Sequence, residues 1–152
     1  MPVHRFLPPP VVLLLVGLAM WLTARLLPDA TLTIPGAGWL VLMITVVALL
    51  IMGLAAWALR RHRTTINPMR PEESSSLVDN GVFRWSRNPI YLADALLLIA
   101  WALYLGNLVA VLLIPLFVTL IQWFQILPEE RALEQRFGDA FHEYRRSVRR
   151  WM

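Results

Sequence analysis

Residues suited to chemistry gather at two places in a chain that is otherwise mostly apolar. The first is the basic and aromatic stretch 81–91, and the second is Pro128-Glu129-Glu130-Arg131, after the next apolar hairpin. A helix amino terminus surrounded by arginine suits a carboxylate or phosphate, and aromatic faces suit an adenine ring or a sulfonium cation. If both places meet at one membrane face, they can join a water-soluble cofactor to a membrane-bound substrate. The residues concerned in the first stretch are Phe83, Arg84, Trp85, Arg87 and Tyr91.

Each of these groups also has a purely structural interpretation. Asn88 can cap the helix that follows, with Pro89 in its first turn, where no amide hydrogen is needed. Glu129 and Glu130 are either solvated carboxylates beside local arginines, or they bind a ribose or a cation near the membrane. Asp94, one turn into an apolar segment, either reaches water or an arginine, or assists catalysis, since acids inside membranes are costly and often functional. The sequence leaves these alternatives open.

The composition excludes an ordinary soluble domain. Of the 152 residues 58% are hydrophobic, and the mean hydropathy is +0.58, as in integral membrane proteins. The absence of cysteine excludes disulfides, thiolate metal sites and cysteine nucleophiles, and the three histidines have no metal-binding spacing, so we expect no metal. All 14 basic residues are arginines, and they flank apolar runs. Membrane orientation explains this pattern better than nucleic-acid binding, so we expect no nucleic-acid partner.

Four apolar runs predict transmembrane helices at residues 9–27, 39–59, 90–105 and 108–127. Each is close to the ~20 residues that cross a bilayer as a helix. The turn at Gly106-Asn107 is so short that the last two helices must form a tight antiparallel hairpin, and Pro115 predicts a kink in the fourth. We expect one all-α integral membrane domain over residues 1–152, with a cofactor-binding loop at 64–91 and a C-terminal segment at 128–152.

The arginines also predict the orientation. They are concentrated in residues 60–87 and in the tail after residue 127, whereas residues 28–38 contain none, which places both termini and the site on the cytoplasmic side of the plasma (inner) membrane. The tail also carries an apolar stripe interrupted by Gly138. Its spacing predicts an amphipathic helix that lies on the cytoplasmic face or packs over the bundle. The stripe consists of Leu133, Phe137, Phe141, Tyr144 and Val148.

The ordered set of motifs resembles the isoprenylcysteine carboxyl methyltransferase family and the related phospholipid methyltransferases, in a short bacterial form. The resemblance covers residues 67–148. Its motifs are Leu77-Val78-x-x-Gly81-Val82-Phe83, Arg87-Asn88-Pro89-x-Tyr91, the helical hairpin, Glu129-Glu130-x-x-Leu133 and Phe137-Gly138-x-x-Phe141-x-x-Tyr144.

The resemblance implies a methyltransferase that uses S-adenosylmethionine and takes a lipid-like or prenylated acceptor from the bilayer. It implies donor contacts from two segments on the cytoplasmic face, and an acceptor side near the hairpin. The donor-binding residues would be Asn67, Ser75, Ser76, Leu77, Val78, Phe83, Arg87, Asn88, Pro89, Ile90, Tyr91, Glu129 and Tyr144. The catalytic residues would be Glu129, Glu130 and Asp94, and the acceptor side would include Trp101, Trp123 and Gln125.

The chain departs from the family pattern in ways that bear on the acceptor. Asn88 stands where histidine is frequent, and Ala93 replaces a glycine. Carboxyl methyltransferases also place an arginine about one turn before the first glutamate, where this chain has Gln122, Trp123 and Gln125, which weighs against a carboxylate acceptor. Two other functions stay open: an NADPH-dependent membrane reductase of related fold, and a non-catalytic membrane subunit.

Overall fold

The computed structural model describes residues 8–32, 34–62 and 76–152, and these residues form helices joined by short turns. Within them no strand forms, and the β-type contact is an isolated bridge between Thr31 and Asn107. The prediction of an all-α fold is therefore confirmed. The helices are α1 (Pro9–Leu26), α2 (Ala37–Arg61), α3 (Pro89–Leu105), α4 (Leu108–Val111), α5 (Leu113–Ile121), α6 (Leu127–Phe137) and α7 (Asp139–Ser147).

Among the described residues, three helical stretches are long and apolar enough to cross a membrane. They are α1, α2 and the stretch Leu108–Phe137, in which α4, α5, a π-helical turn and α6 follow one another. The remaining apolar helix, α3, has 17 residues. At 1.5 Å per residue it is roughly 26 Å long, slightly less than the ~30 Å hydrocarbon core. The sequence predicted four spans, and α3 is the short one of the four.

Helix α3 lies at the centre of the bundle because small residues let its neighbours approach closely. It packs most extensively against α2 and also contacts α1 and α5. Ala48 and Ala55 of α2 are fully buried, and so are Ala93 and Ala100 of α3, with a spacing of seven residues on each helix. Small side chains at such spacing favour close helix packing in membranes, where van der Waals contact replaces the hydrophobic effect.

The turn between α3 and α4 is attached to the loop between α1 and α2. Gly106 ends α3 with a φ of 64°, and its carbonyl accepts a hydrogen bond from the Leu32 amide at 2.8 Å. Asn107 caps α4, since its Oδ1 accepts from the amides of Val109 and Ala110. Its Nδ2 donates to the carbonyl of Leu27 at 2.8 Å. These bonds fix the predicted hairpin against α1.

Prolines interrupt the second half of the hairpin twice. A one-residue break at Leu112 precedes Pro115, which cannot donate a hydrogen bond to the preceding turn. Pro128 likewise follows a π-helical turn, Gln122–Ile126, in which the Leu127 amide bonds back to the Gln122 carbonyl. A π-turn inserts one extra residue into the helix.

The C-terminal segment forms two helices instead of one, because Gly138 adopts a φ of 51° between α6 and α7. The predicted apolar stripe nevertheless stays together on one side of both helices. Phe141, Tyr144 and Val148 are buried, and Leu133, Phe137 and Leu77 pack against them. The segment therefore packs over the bundle, which is one of the two arrangements that the sequence allowed.

Candidate functional site

Three consecutive residues just before α3, 86–88, form hydrogen bonds with backbone carbonyls near the C-terminus. Ser86 is buried, and its Oγ accepts a hydrogen bond from the Asn88 amide at 3.0 Å. Asn88 Nδ2 donates to the Arg150 carbonyl at 3.0 Å, and Pro89 occupies the first turn of α3. Within the described residues Asn88 forms no side-chain cap, so that prediction was wrong. The amide group is used for a tertiary contact instead.

The two motifs meet directly through Tyr91 and Glu129. The phenol of Tyr91, in the first turn of α3, donates to Glu129 Oε1 at 2.5 Å. Glu129 lies in the first turn of α6, 38 residues later, and it is partly exposed, whereas Tyr91 is buried. This hydrogen bond joins the entry of α3 to the entry of α6, which is the proximity that the sequence required for a site.

Glu130, the next residue, forms a buried ion-pair cluster with two arginines. Its Oε1 accepts from Arg87 at 2.8 Å, and its two oxygens accept a forked pair of bonds from Arg150 at 3.1 and 2.7 Å. The side chains of Glu130 and Arg87 are 10% and 8% exposed. The hydrogen bond with Glu130 raises the pKa of Arg150, so that arginine stays a cation. Both carboxylate oxygens of Glu130 are thus already occupied.

The loop before α3 is held against α2 and α7. Ser76 Oγ donates to the His62 carbonyl at 3.1 Å, and Val78 and Phe83 pack against buried alanines of α2. Tyr144 of α7 donates its hydroxyl to the Phe83 carbonyl at 2.7 Å. Burial raises the pKa of Tyr144, so its hydroxyl remains a donor at neutral pH. The loop therefore presents its backbone and aromatic side chains in a fixed position.

These elements line a cavity of about 560 Å³ with both polar and apolar side chains, and the polar and the apolar lining residues named below are here called its polar end and its apolar end. This volume is in the range of small-molecule sites. Asp94, 5% exposed, lines the cavity from α3, between the lining residues Tyr91 and Leu97 of the same helix. The polar end is lined by Ser76, Arg87, Asn88, Tyr91, Asp94, Glu129, Glu130 and Tyr144, and the apolar end by Pro9, Pro10, Leu13, Met52, Ala56, Leu59 and Leu97.

The charges on the described wall of the cavity are mainly negative. Asp94, Glu129 and Glu130 line it together with a single arginine, Arg87. Glu130 is paired with both Arg87 and Arg150, and Glu129 accepts from Tyr91, so Asp94 is the other carboxyl group on this wall. Carboxyl groups in a largely apolar cavity favour a cationic ligand over an anionic one, because charge interactions are stronger where the dielectric constant is low.

Most residues predicted for the site line this cavity. Both catalytic candidates of α6, Asp94 of α3 and eleven of the predicted donor contacts are among its lining residues. Asn67 and Ser75 lie outside the described residues. The eleven donor contacts are Ser76, Leu77, Val78, Phe83, Arg87, Asn88, Pro89, Ile90, Tyr91, Glu129 and Tyr144.

The three residues expected on the acceptor side lie elsewhere. Trp101 donates its indole hydrogen to the Gly17 carbonyl of α1 at 3.0 Å and stacks on Tyr104. Trp123 is 63% exposed on the outer surface of the π-turn. Gln125 is buried and borders a separate apolar cavity of about 310 Å³ between α1 and α5. The described cavity wall does not include them.

The sequence reasoning did not single out Ser86, Arg150 or the α1 residues at the apolar end. Ser86 binds the backbone carbonyl of Arg150, and the Arg150 side chain binds the carboxylate of Glu130, 20 residues earlier. No local sequence motif indicates such contacts. A weak signal existed for Arg150, because a buried second glutamate needs a cationic partner. The α1 residues belong to a uniform apolar run with no feature to distinguish one face from another.

Comparison with known proteins gives one family and one relative. The family model described as phospholipid methyltransferase matches residues 37–140, which include α2, α3, the hairpin and α6. An uncharacterized protein of Haemophilus influenzae is 46% identical over 63 residues, which make up 41% of this chain and 100% of that protein. No solved structure gives a significant match.

Proposed function

The chain belongs to the phospholipid methyltransferase family, and on that premise we propose that it transfers a methyl group from S-adenosylmethionine to the amine of a lipid-like acceptor. The family and the apolar helices make it a membrane methyltransferase that acts on lipid-like substrates. The donor, the amine and the cytoplasmic location of the site on the inner membrane are the proposed parts.

One observation carries the proposal: the hydrogen bond between Tyr91 and Glu129, two residues that line a cavity together with both polar and apolar side chains. The polar end supports binding of a nucleoside with a charged amino-acid part, and the apolar end supports binding of a hydrocarbon chain. Pro9 and Leu13 of α1 face the cavity together with Met52 and Leu59 of α2. A lipid acceptor would therefore approach between these two helices.

The residues at the polar end fit the proposed donor. When bound, S-adenosylmethionine supplies an electrophilic methyl group on a positively charged sulfur. The aromatic side chains of Phe83 and Tyr144 offer faces and edges for an adenine ring or a cation. The Glu129 carboxylate, oriented by the Tyr91 phenol, offers an acceptor for ribose hydroxyls. A cavity that holds both reactants side by side would favour their alignment.

The charge balance favours an amine acceptor over the carboxylate acceptor that the sequence also allowed. An ammonium group must lose one proton before its nitrogen lone pair can attack the methyl carbon. The buried Asp94 carboxylate, which lines the cavity between Tyr91 and Leu97 of α3, would receive that proton. A carboxylate acceptor would instead be repelled by Asp94, and Arg87 is already paired with Glu130.

The test uses purified protein in nanodiscs with methyl-labelled S-adenosylmethionine. Label should pass to lipid in discs that contain an aminophospholipid, and no label should pass in discs of phosphatidylcholine alone. A second arm adds a prenylated cysteine, which should stay unlabelled. Binding of NADPH in place of S-adenosylmethionine would reject a methyltransferase in favour of a reductase. Binding of neither nucleotide would favour a non-catalytic subunit.

A further inference from the structure

We propose that residues 148–151, here called the C-terminal strap, position the donor site. The strap acts through two positioning residues, Glu130 and Arg150. This assignment rests on the proposed function, because the site being positioned is the proposed donor site. It gives Glu130 a role different from acid or base catalysis.

The strap is attached to the entry of α3 through its own backbone. The Val148 carbonyl accepts from the Arg87 guanidinium, and the Arg149 carbonyl accepts from the Arg87 amide at 3.0 Å. The Arg150 carbonyl accepts from Ser86 Oγ at 3.2 Å and from Asn88 Nδ2 at 3.0 Å. Three consecutive strap carbonyls therefore bind three consecutive residues, and two of those, Arg87 and Asn88, line the cavity.

Glu130 connects this attachment to α6. Its carboxylate binds Arg87 on one side and the forked guanidinium of Arg150 on the other. Glu129 precedes it directly, and Tyr91 lies one turn after Asn88, so the same cluster fixes both partners of the hydrogen bond at the polar end. Loss of the Arg150 pair would free α6 to rotate relative to α3.

The strap itself lies behind the cavity. Residues 148–151 are absent from the described cavity lining, and the strap follows the region matched by the family model, which ends at residue 140. Trp151 holds the far end, since its indole nitrogen donates to Gln122 Oε1 at 3.4 Å and its ring packs on the main core. Among the described residues, the strap contacts the cavity lining through Arg87, Asn88 and Glu130.

The experiment measures binding of S-adenosylhomocysteine to the full chain by calorimetry, together with methyl transfer and thermal unfolding. Arg150→Gln should weaken binding on the order of tenfold, as expected for coupled neighbours. The KM for the donor should rise while the KM for the acceptor stays unchanged. Arg150→Lys should recover part of the affinity, because it keeps the charge but not the forked geometry.

The matched control is Arg149→Gln, since the exposed Arg149 contributes its carbonyl and not its side chain to the attachment. Its affinity should equal that of the unmodified protein. Should Arg150→Gln fail to fold, Ser86→Ala serves in its place and should weaken donor binding by a smaller factor. Normal donor affinity in a folded variant, even one that melts at a lower temperature, would overturn the positioning role.

The two proposals fail in different ways. If the unmodified protein binds no S-adenosylhomocysteine, the proposed function is rejected, and the positioning role with it. If the unmodified protein binds and Arg150→Gln binds equally well, only the positioning role is rejected.

Discussion

The adjacent carboxylates Glu129 and Glu130 should respond differently to the same substitution, with the larger loss of stability at Glu130. Glu130→Gln leaves the guanidinium of Arg87, 8% exposed, without its carboxylate. Removing one partner of a buried ion pair costs about 3–5 kcal/mol. We expect the low end, about 3 kcal/mol, because Arg87 keeps the carbonyls of Arg145 and Val148 as acceptors. Glu129→Gln keeps an oxygen that can accept from Tyr91, so its cost should be below about 1 kcal/mol.

The assay is thermal unfolding in detergent, followed by tryptophan fluorescence, with donor binding measured on the same samples. At about 2–4 °C per kcal/mol for a chain of this size, Glu130→Gln should lower the Tm by roughly 6–12 °C. Glu129→Gln should change the Tm by less than about 3 °C and should weaken donor binding by about tenfold, or 1.4 kcal/mol. Equal Tm values for the two variants would refute the division of roles between these neighbours.

Three further substitutions test other parts of the structure. Gly106→Ala should destabilise the hairpin by more than about 1–2 kcal/mol, measured as a lower Tm, because φ is positive and a new Cβ would lie 2.5 Å from a backbone oxygen. Gly53→Ala is the control, and it should not destabilise the protein because the space around Gly53 is open. Ala55→Leu should lower the Tm by overpacking the contact between α2 and α3, at about 1–3 kcal/mol, whereas Leu54→Ala on the exposed face should have little effect. Asp94→Asn should reduce kcat for methyl transfer about 10²–10⁴-fold while donor affinity stays within twofold, and unchanged turnover would contradict its role as proton acceptor.

Much of the fold could be predicted because membrane helices leave strong patterns. The apolar runs and the Gly106-Asn107 turn indicated the helices and the hairpin, since hydrocarbon admits few other backbone structures. The π-turn before Pro128 could not be located, and at Gly138 the sequence indicated an interruption without showing that the helix ends there. Both depend on how tertiary contacts resolve a local conflict, and the sequence shows only that a glycine or proline is present.

The contact between the two polar motifs could be predicted, because polar side chains are unusual in such an apolar chain. Tyr91 and Glu129 are polar groups at the ends of apolar runs, so their meeting could be inferred from topology. The acceptor side could not, because Trp101 and Trp123 resemble any other aromatic residues of a membrane protein. The contacts of Ser86 and Asn88 with the Arg150 carbonyl could not be predicted either. Every residue has a backbone carbonyl, so the residue types do not indicate which one accepts the hydrogen bond.

The π-turn at Gln122–Ile126 has a consequence for how this protein tolerates change in chain length. Each residue of an α-helix advances the direction of the side chain by about 100°. A deletion within the regular part of the helix would therefore turn Glu129 away from Tyr91 by about that angle. The π-turn already accommodates one extra residue, so loss of one residue there would restore regular winding and leave the direction of Glu129 nearly unchanged. The π-turn is therefore the place in the hairpin where the chain can lose one residue and still keep the apolar span and the contact between Glu129 and Tyr91.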